Sequence, residues 1–435
     1  YCRQTFLDNV LRGGWPILLG DKEKKIVHIY SRKHGDPERD YNAFSLAPEP
    51  YSQGNGNYRD VNQNRRNDVL FEPAVAAENA VTFLNLLRLD GYNPLVVKGK
   101  RFAIPAEKCV DIAALANNDS RIADHLASGF TPGSLLRMVL DHDIPLTCAP
   151  DVFVDRAVDA ADAHIVADDC EGYWIDHWFY TLDLIDTFRA VYPDREKDFF
   201  FDTTATYFDS EVRVKPRIEK HVLTPRGVRQ YTALEHDERK AAEIALRPSH
   251  AHTAHTVAGD IVSSTVFAKL VALAAVKFAT LDPLGMGIEM EADKPGWYDS
   301  MNGLPGLLAS ALNETYELKR LVEMLRGVCA AHGPETITLA REQADLLAEV
   351  VDAARCWRDE NADDRDILFW DRIATARENF RALTHQPLSG DTTDIARTHL
   401  EDALGLFLTK LDAGIARACA MNNGIPPTYI AYNAT

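Results

Sequence analysis

The sequence predicts a mainly α fold: helical hairpins closed into a ring, with small β hairpin excursions, as a single domain over residues 1–435. Three observations lead there. Apolar residues recur at helical spacing through four long segments of the C-terminal half, with Leu308, Leu312, Leu318, Leu321, Val322 and Leu325 as the clearest stripe. The most apolar run, 261–281, still contains Ser263, Ser264, Lys269 and Lys277, so it reads as a buried core helix and not a membrane span. The segments are joined by irregular Gly-, Asn- and Pro-rich loops, with no short repeat, low-complexity tract or flexible Gly/Ser linker to divide the chain. A ring of hairpins leaves a funnel at one end, floored by loops, and loops carry function.

In chain order, 25–30 has strand character, and 72–89 reads as a helix with Pro73 in its first turn, where the missing N–H costs nothing. The stretch 95–104 reads as a tight hairpin around Lys98-Gly99-Lys100. An aromatic-rich helix is expected over 172–192, then extended chain over 212–234, broken by the turn signal Thr224-Pro225-Arg226-Gly227. The C-terminal helices are expected over 301–326, 337–357, 367–383 and 393–420.

Lys and Arg total 47 against 65 Asp and Glu, a net charge of −18. A surface that acidic repels phosphate backbones and anionic lipid heads, which excludes nucleic acid and membranes as partners. The seven cysteines are scattered, without a CxxC pair and odd in number, which reads as buried free thiols in a reducing compartment and makes the cytoplasm the expected location. There is no signal-peptide pattern, and a chain opening on Tyr1 is expected to be a piece of a longer one.

Two loops carry chemistry. In 51–68, Asn, Gln, Arg, Asp and Tyr crowd around two glycines, and planar amides with an Arg–Asp pair can hydrogen-bond many hydroxyls at once, as a sugar ring demands. The competing reading is a solvated loop before a helix. In 294–306, Asp299 stands two residues from Trp297 on a Gly/Pro-framed turn. An apolar ring beside a carboxyl raises its pKa, as a general acid requires, and the indole face suits the C–H face of a pyranose. The competing reading is Asp299 as a helix N-cap.

Together these loops resemble the inverting disaccharide phosphorylases of the cellobiose and chitobiose phosphorylase type. That family carries an Arg-Asp-x-x-Gln-Asp loop, an Asp-Asp-His-x-Trp segment and a Gly-Asp-Trp-Asn-Asp-Gly-Met-Asn loop. In the same order, this chain has Arg59-Asp60-Val61-Asn62-Gln63-Asn64, Ile175-Asp176-His177-Trp178 and Gly296-Trp297-Tyr298-Asp299-Ser300-Met301-Asn302. The resemblance spans roughly residues 1–310. It implies an (α/α)6 catalytic barrel, Asp299 as the general acid, and Arg59, Asp60, Gln63, Trp297, Asp176, His177 and Asn302 as substrate-binding residues. It also implies a disaccharide or oligosaccharide as substrate, inorganic phosphate as co-substrate, no other cofactor and no metal, and a possible homodimer.

The departures are specific. Asn64, Tyr298 and Gly296 replace family residues, no match is found for the family's phosphate-binding stretch, and its β-sandwich domain is absent from this chain. The reading therefore extends to an inverting hydrolase or transglycosylase on the same barrel, with Asp176 or Glu171 as the base that activates water. The rival from another class is a sugar-binding scaffold that kept the barrel and lost the chemistry. His250, His252 and His255 read as a polar helix start rather than a metal site, since only two share a helical face. The 289–293 stretch, Glu-Met-Glu-Ala-Asp, reads as a solvated acidic segment, and 173–177 as either core or site. No Gly-x-Ser-x-Gly elbow is present.

Overall fold

The computed structural model describes residues 2–3, 11–22, 24–30, 45–169, 175–225, 227–230, 233–247, 252–291, 307–360 and 362–433. In chain order its strands and helices are β1 (Trp15–Leu19), β2 (Lys25–Ile29), β3 (Gly56–Asn57), α1 (Tyr58–Arg65), α2 (Asp68–Phe71), α3 (Glu78–Asn85), β4 (Val96–Ala103), α4 (Ala106–Ala113), α5 (Ser120–Ser128), α6 (Pro132–Asp141), α7 (Pro150–Ala160) and β5 (Asp162–Asp168). There follow α8 (Tyr180–Val191), α9 (Glu196–Phe201), β6 (Thr204–Thr206), β7 (Val212–Val214), α10 (Arg217–Lys220), β8 (His221–Thr224), β9 (Gly227–Gln230), β10 (Leu234–His236), α11 (Glu238–Ala245), β11 (Ser263–Thr265) and α12 (Val266–Phe278). The chain closes with β12 (Ile288–Glu289), β13 (Leu308–Ala311), α13 (Leu312–His332), β14 (Thr336–Ala340), α14 (Arg341–Asp359), α15 (Arg365–Thr384), β15 (Thr392–Ala396), α16 (Arg397–Met421) and β16 (Tyr429–Tyr432). The fold is mainly α, with the strands in small separate sheets of two or three.

The axis of the main core is α12. All of its residues are buried, as a helix apolar on every side must be, and α9, α13 and α14 pack against it. Thr265 starts it, its hydroxyl oxygen accepting the Ala268 amide at 3.2 Å. Around this axis α14 pairs with α15 and α16, and α13 with α16. Gly414 of α16 has no room for a side chain: a Cβ there would lie 1.7 Å from the Gly285 carbonyl oxygen, so the helix backbone presses on the loop before β12. Helices α1, α3 and α8 join the same core, whereas α4–α7 enclose a second one with β1 and β2, built on Phe102, Phe130, Phe153 and Ile122.

Several elements differ from their sequence-based expectation. The region 72–89 is split: a short 3-10 turn at Pro73–Val75 ends where Ala76 turns to φ 44°, and α3 begins only at Glu78. The segment 95–104 is one strand, not a hairpin. β4 pairs with β5 across a bulge at Val97/Gly99, where Gly99 takes φ 106° with the Gln53 side chain pressed against it. The three long C-terminal helices α13, α14 and α16 each begin after a short strand that lies, wholly or in part, where the spacing predicts helix. In those strands alternation and helical spacing are indistinguishable over four or five residues, and pairing with a distant partner decides. The turn at 224–227 does connect the hairpin β8–β9, with Thr224 paired to Gly227.

Among the described residues no helix is long and apolar enough to cross a membrane. The described cysteines are free, with Cys109 and Cys329 buried.

Candidate active site

The Asn57 side chain caps α1 by accepting the Arg59 amide at 3.1 Å, which presents Arg59 and Asp60 from the first helical turn. The Arg59 guanidinium donates through Nε and Nη2 to Asp60 Oδ1 at 3.1 and 3.0 Å, and Arg59 is buried. Gln63, one turn on, is half-buried.

The second sequence motif lies beside the first. Asp176 is buried, and its carboxyl is pushed up to about 6, by burial above all, against the pull of the Arg59 and Lys277 charges. The Tyr180 hydroxyl donates to its Oδ2 at 3.3 Å, while its buried Oδ1 has no hydrogen-bond partner among the described residues. His177 lies flat on Tyr58, with ring centroids 5.7 Å apart, and its Nδ1 accepts from the Asn93 amide at 3.3 Å. That bond assigns the ring proton to Nε2, 3.9 Å from Asp176 Oδ1, too far for a direct hydrogen bond.

Residues that sequence reasoning did not single out complete the set. Glu314, in the first turn of α13, is buried, and its carboxyl is raised well above the usual range, first by burial and then by the Asp176 charge. Two carboxyls in one dry site do not both ionise, so Glu314 keeps its proton. Lys277 at the end of α12 is lowered to about 8, by burial above all. Its ammonium lies 4.9 Å from the Tyr92 ring centre and 5.6 Å from that of Trp178.

Tyr92 carries the network onward by donating to Glu291 Oε1 at 3.2 Å. Lys220 Nζ at 3.1 Å, Arg377 at 3.4 Å and Arg381 all meet the Glu291 carboxylate. Burial opposes its charge, but these three cations outweigh it and hold the group well below the ordinary carboxylate range. Glu289 accepts from Arg377 at 3.1 Å and from the Trp370 indole at 2.5 Å. The expectation of a solvated acidic stretch at 289–293 is thereby corrected for Glu289 and Glu291, which are 4% and 1% exposed. Their cation partners lie far along the chain in α10 and α15, and a run of acids gives no sign of them.

The turn leading into β12 is held by Asp282, whose carboxyl accepts the amides of Leu284, Met286 and Gly287 and the Ser310 hydroxyl at 2.7–3.0 Å. Met290 donates to Ala309 at 2.8 Å, and Leu307 to Tyr432 at 2.6 Å. Met290 and Leu307 thus both pair at the β12–β13–β16 sheet. Asp299, Trp297 and Asn302 lie outside the described residues, as do Glu171, Tyr173, Trp174 and His250. His252 and His255 are not on a helix, contrary to expectation: His252 stacks on Phe208 at 5.0 Å, and His255 bridges to Ile261 as extended chain. Among the described residues no group of three or more His, Cys, Asp or Glu is arranged to hold a metal ion.

The arrangement links Arg59, Asp176 and His177 with Lys277, Glu314, Tyr92 and Glu291 in one buried polar network, with Asp60 half-buried at its edge. Chemically it offers a carboxyl titrating near neutrality, a neutral acid and a cation over aromatic faces, with buried acceptor atoms still open. Compared with known proteins, the chain matches no family model and no curated relative.

Proposed function

We propose that the protein is a carbohydrate-active enzyme that cleaves or forms β-glycosidic bonds with inversion, on a barrel of (α/α)6 type. In the leading reading it phosphorolyses a gluco-type disaccharide or oligosaccharide to an α-sugar 1-phosphate. The observation that supports the proposal is the buried Asp176 carboxyl, held near 6 within the field of Arg59, which comes from a motif distant in sequence. Arg59 and Asp60 grip sugar hydroxyls through charge-assisted hydrogen bonds, and Asp176 Oδ1 accepts another. Asp299 protonates the leaving oxygen while phosphate attacks C1 from the opposite face.

One feature favours water as the nucleophile in a second reading. A carboxyl that titrates near 6 is suited to accept a proton from water, and Asp176 then serves as the base of an inverting hydrolase. The test incubates the full-length protein with β-linked disaccharides, with and without phosphate, and assays sugar 1-phosphate and free reducing sugar. Phosphate-dependent sugar 1-phosphate supports the first reading, and phosphate-independent hydrolysis the second. Asp299→Asn is expected to lose about 10²–10⁴ in rate on the disaccharide and far less on a glycosyl fluoride, whose leaving group needs no proton. No turnover of any β-linked substrate under either condition overturns both readings and leaves a sugar-binding scaffold.

A further inference from the structure

A cavity of about 620 Å³ runs along β5 and shares no lining residue with the network of Asp176, Lys277 and Glu291. Six consecutive residues of the strand, 162–167, line it. Side chains of a strand alternate between its two faces, so a space touched by each residue in turn lies along the edge and not over one face. β5 is the outer strand of the order β3–β4–β5 and is paired to β4 from Asp162 to Asp168. Its far edge pairs with no strand among the described residues.

That edge lacks the side chains that blunt exposed strands. Ala163, Ile165, Val166 and Ala167 carry no charge, the strand holds no Lys or Pro, and its acids stand only at the two ends. A second wall of the cavity is α3, whose Glu78, Val81, Thr82 and Asn85 recur at helical spacing, with Leu86 just beyond. Two cations mark the Asp162 end. Lys25 Nζ donates to the carbonyls of Ala161 and, at 2.9 Å, Val158, and Lys24 Nζ donates to that of Gly20. Neither ammonium forms an ion pair among the described residues, whereas Lys100, on the same cavity, is matched by Glu78. The excess charge at this end is therefore positive, on a chain whose net charge is −18.

A strand edge offers main-chain donors and acceptors in a row, which only another extended backbone matches along its length. At about 30 Å³ of liquid per water, the space takes about twenty waters, the volume of three to four residues with small side chains. A second copy of the chain is a poor occupant, because two surfaces of net charge −18 repel each other. We propose that this groove is a peptide-docking site, in which an extended segment of a partner protein adds along β5 as the next strand. The segment runs antiparallel to β5, which brings its C-terminal end to Lys24 and Lys25, and it carries acidic residues there. Apolar side chains at its alternate positions meet Val81, Leu86 and Ile165. The proposal stands apart from the saccharide reading, and its test reads binding rather than turnover.

The experiment titrates the full-length protein into a fluorescein-labelled peptide, Thr-Val-Thr-Val-Thr-Val-Asp-Asp, and reads anisotropy, with hydrogen exchange of the β5 amides in parallel. Saturable binding is expected, and the amides of 163–167 turned away from β4 should exchange fast in the free protein and slowly in the complex. Methylating the peptide nitrogens at alternate residues tests the pairing without touching the protein. One alternate set faces β5 and should weaken binding about tenfold or more, and the other set should leave it unchanged. Lys24→Glu, at an exposed position, should weaken binding about threefold or more at low salt and less at high salt, with a thermal melt to establish folding. Absence of binding, an equal effect of the two methylated sets, or unchanged exchange at 163–167 in the complex overturns the proposal. So does slow exchange of the outward amides in the free protein. Protection at every concentration would mean that another part of the chain covers the edge, and protection that rises with concentration would mean a second copy.

Discussion

The two lysines of α12 lie about two turns apart on one helix and are equally buried, yet they live in different surroundings. Lys269 donates to the carbonyls of Leu87 and Thr206 at 3.0 and 2.5 Å, with its ammonium 3.6 Å from the Tyr207 ring centre. Burial alone drives its pKa far below that of a free lysine. Lys277 faces Glu314, Asp90 and Glu291 and lies over Tyr92 and Trp178. The first lysine ties loop backbone to the core. The second is one charge in a set that couples Asp176 to Glu291. The difference teaches that burial of a charge alone does not nominate a site; burial among other titrating groups, with polar atoms left open, makes a candidate.

The largest effect is expected where the Lys277 end is most highly charged. Glu291→Ala leaves Lys220, Arg377 and Arg381 buried around an absent carboxylate. Breaking such a buried set costs about 3–5 kcal/mol, to be read by chemical denaturation. A loss below about 1 kcal/mol would mean that the cluster is open to water and the contrast with Lys269 overdrawn.

Asp176→Asn is next. It is expected to lower kcat/KM by about 10²-fold or more with the fold retained. The sign of its pH effect follows from the raised pKa. The native protein holds the proton that the unfolded chain has lost, so the stability from that group is full below about 4 and is lost as pH rises through about 6. Asn ionises at no pH. The Tm of the variant relative to native should therefore climb between about pH 4 and 6, and a flat difference would place Asp176 in water.

The smallest effect sharpens the comparison most directly. Lys269→Met should change stability by no more than about 2 kcal/mol, since an apolar chain of similar length replaces a costly buried amine. It should leave the pH–rate profile unmoved. Lys277→Met should shift the carboxyl limb of that profile upward, because a cation that favours ionised Asp176 is gone. Matching profiles for the two variants would dissolve the distinction between the two ends of α12.

The core helix was legible because its length and apolar density allow only burial, and α15 fell where its spacing put it. Arg59, Asp60, Asp176 and His177 were legible as chemistry-bearing types in loops. Glu314, Tyr92 and the partners of Glu291 were not. Glu314 has the sequence context of an ordinary acidic first-turn residue, and only the neighbouring Asp176 and Lys277 make it a neutral acid. The strands before α13, α14 and α16 were missed because their backbone partners come from dozens of residues away.

The sequence by itself determined the class of fold and the periodic faces that drive it, because hydrophobic spacing acts locally and sums along each segment. It also determined that Lys269 and Lys277 would be buried, since the helix around them is apolar on every side. Only the tertiary structure decided what each of them meets there. Electrostatic character depends on groups within a few ångströms, contributed by α10, α13, α15 and the turn at 88–93, and no local pattern encodes that convergence.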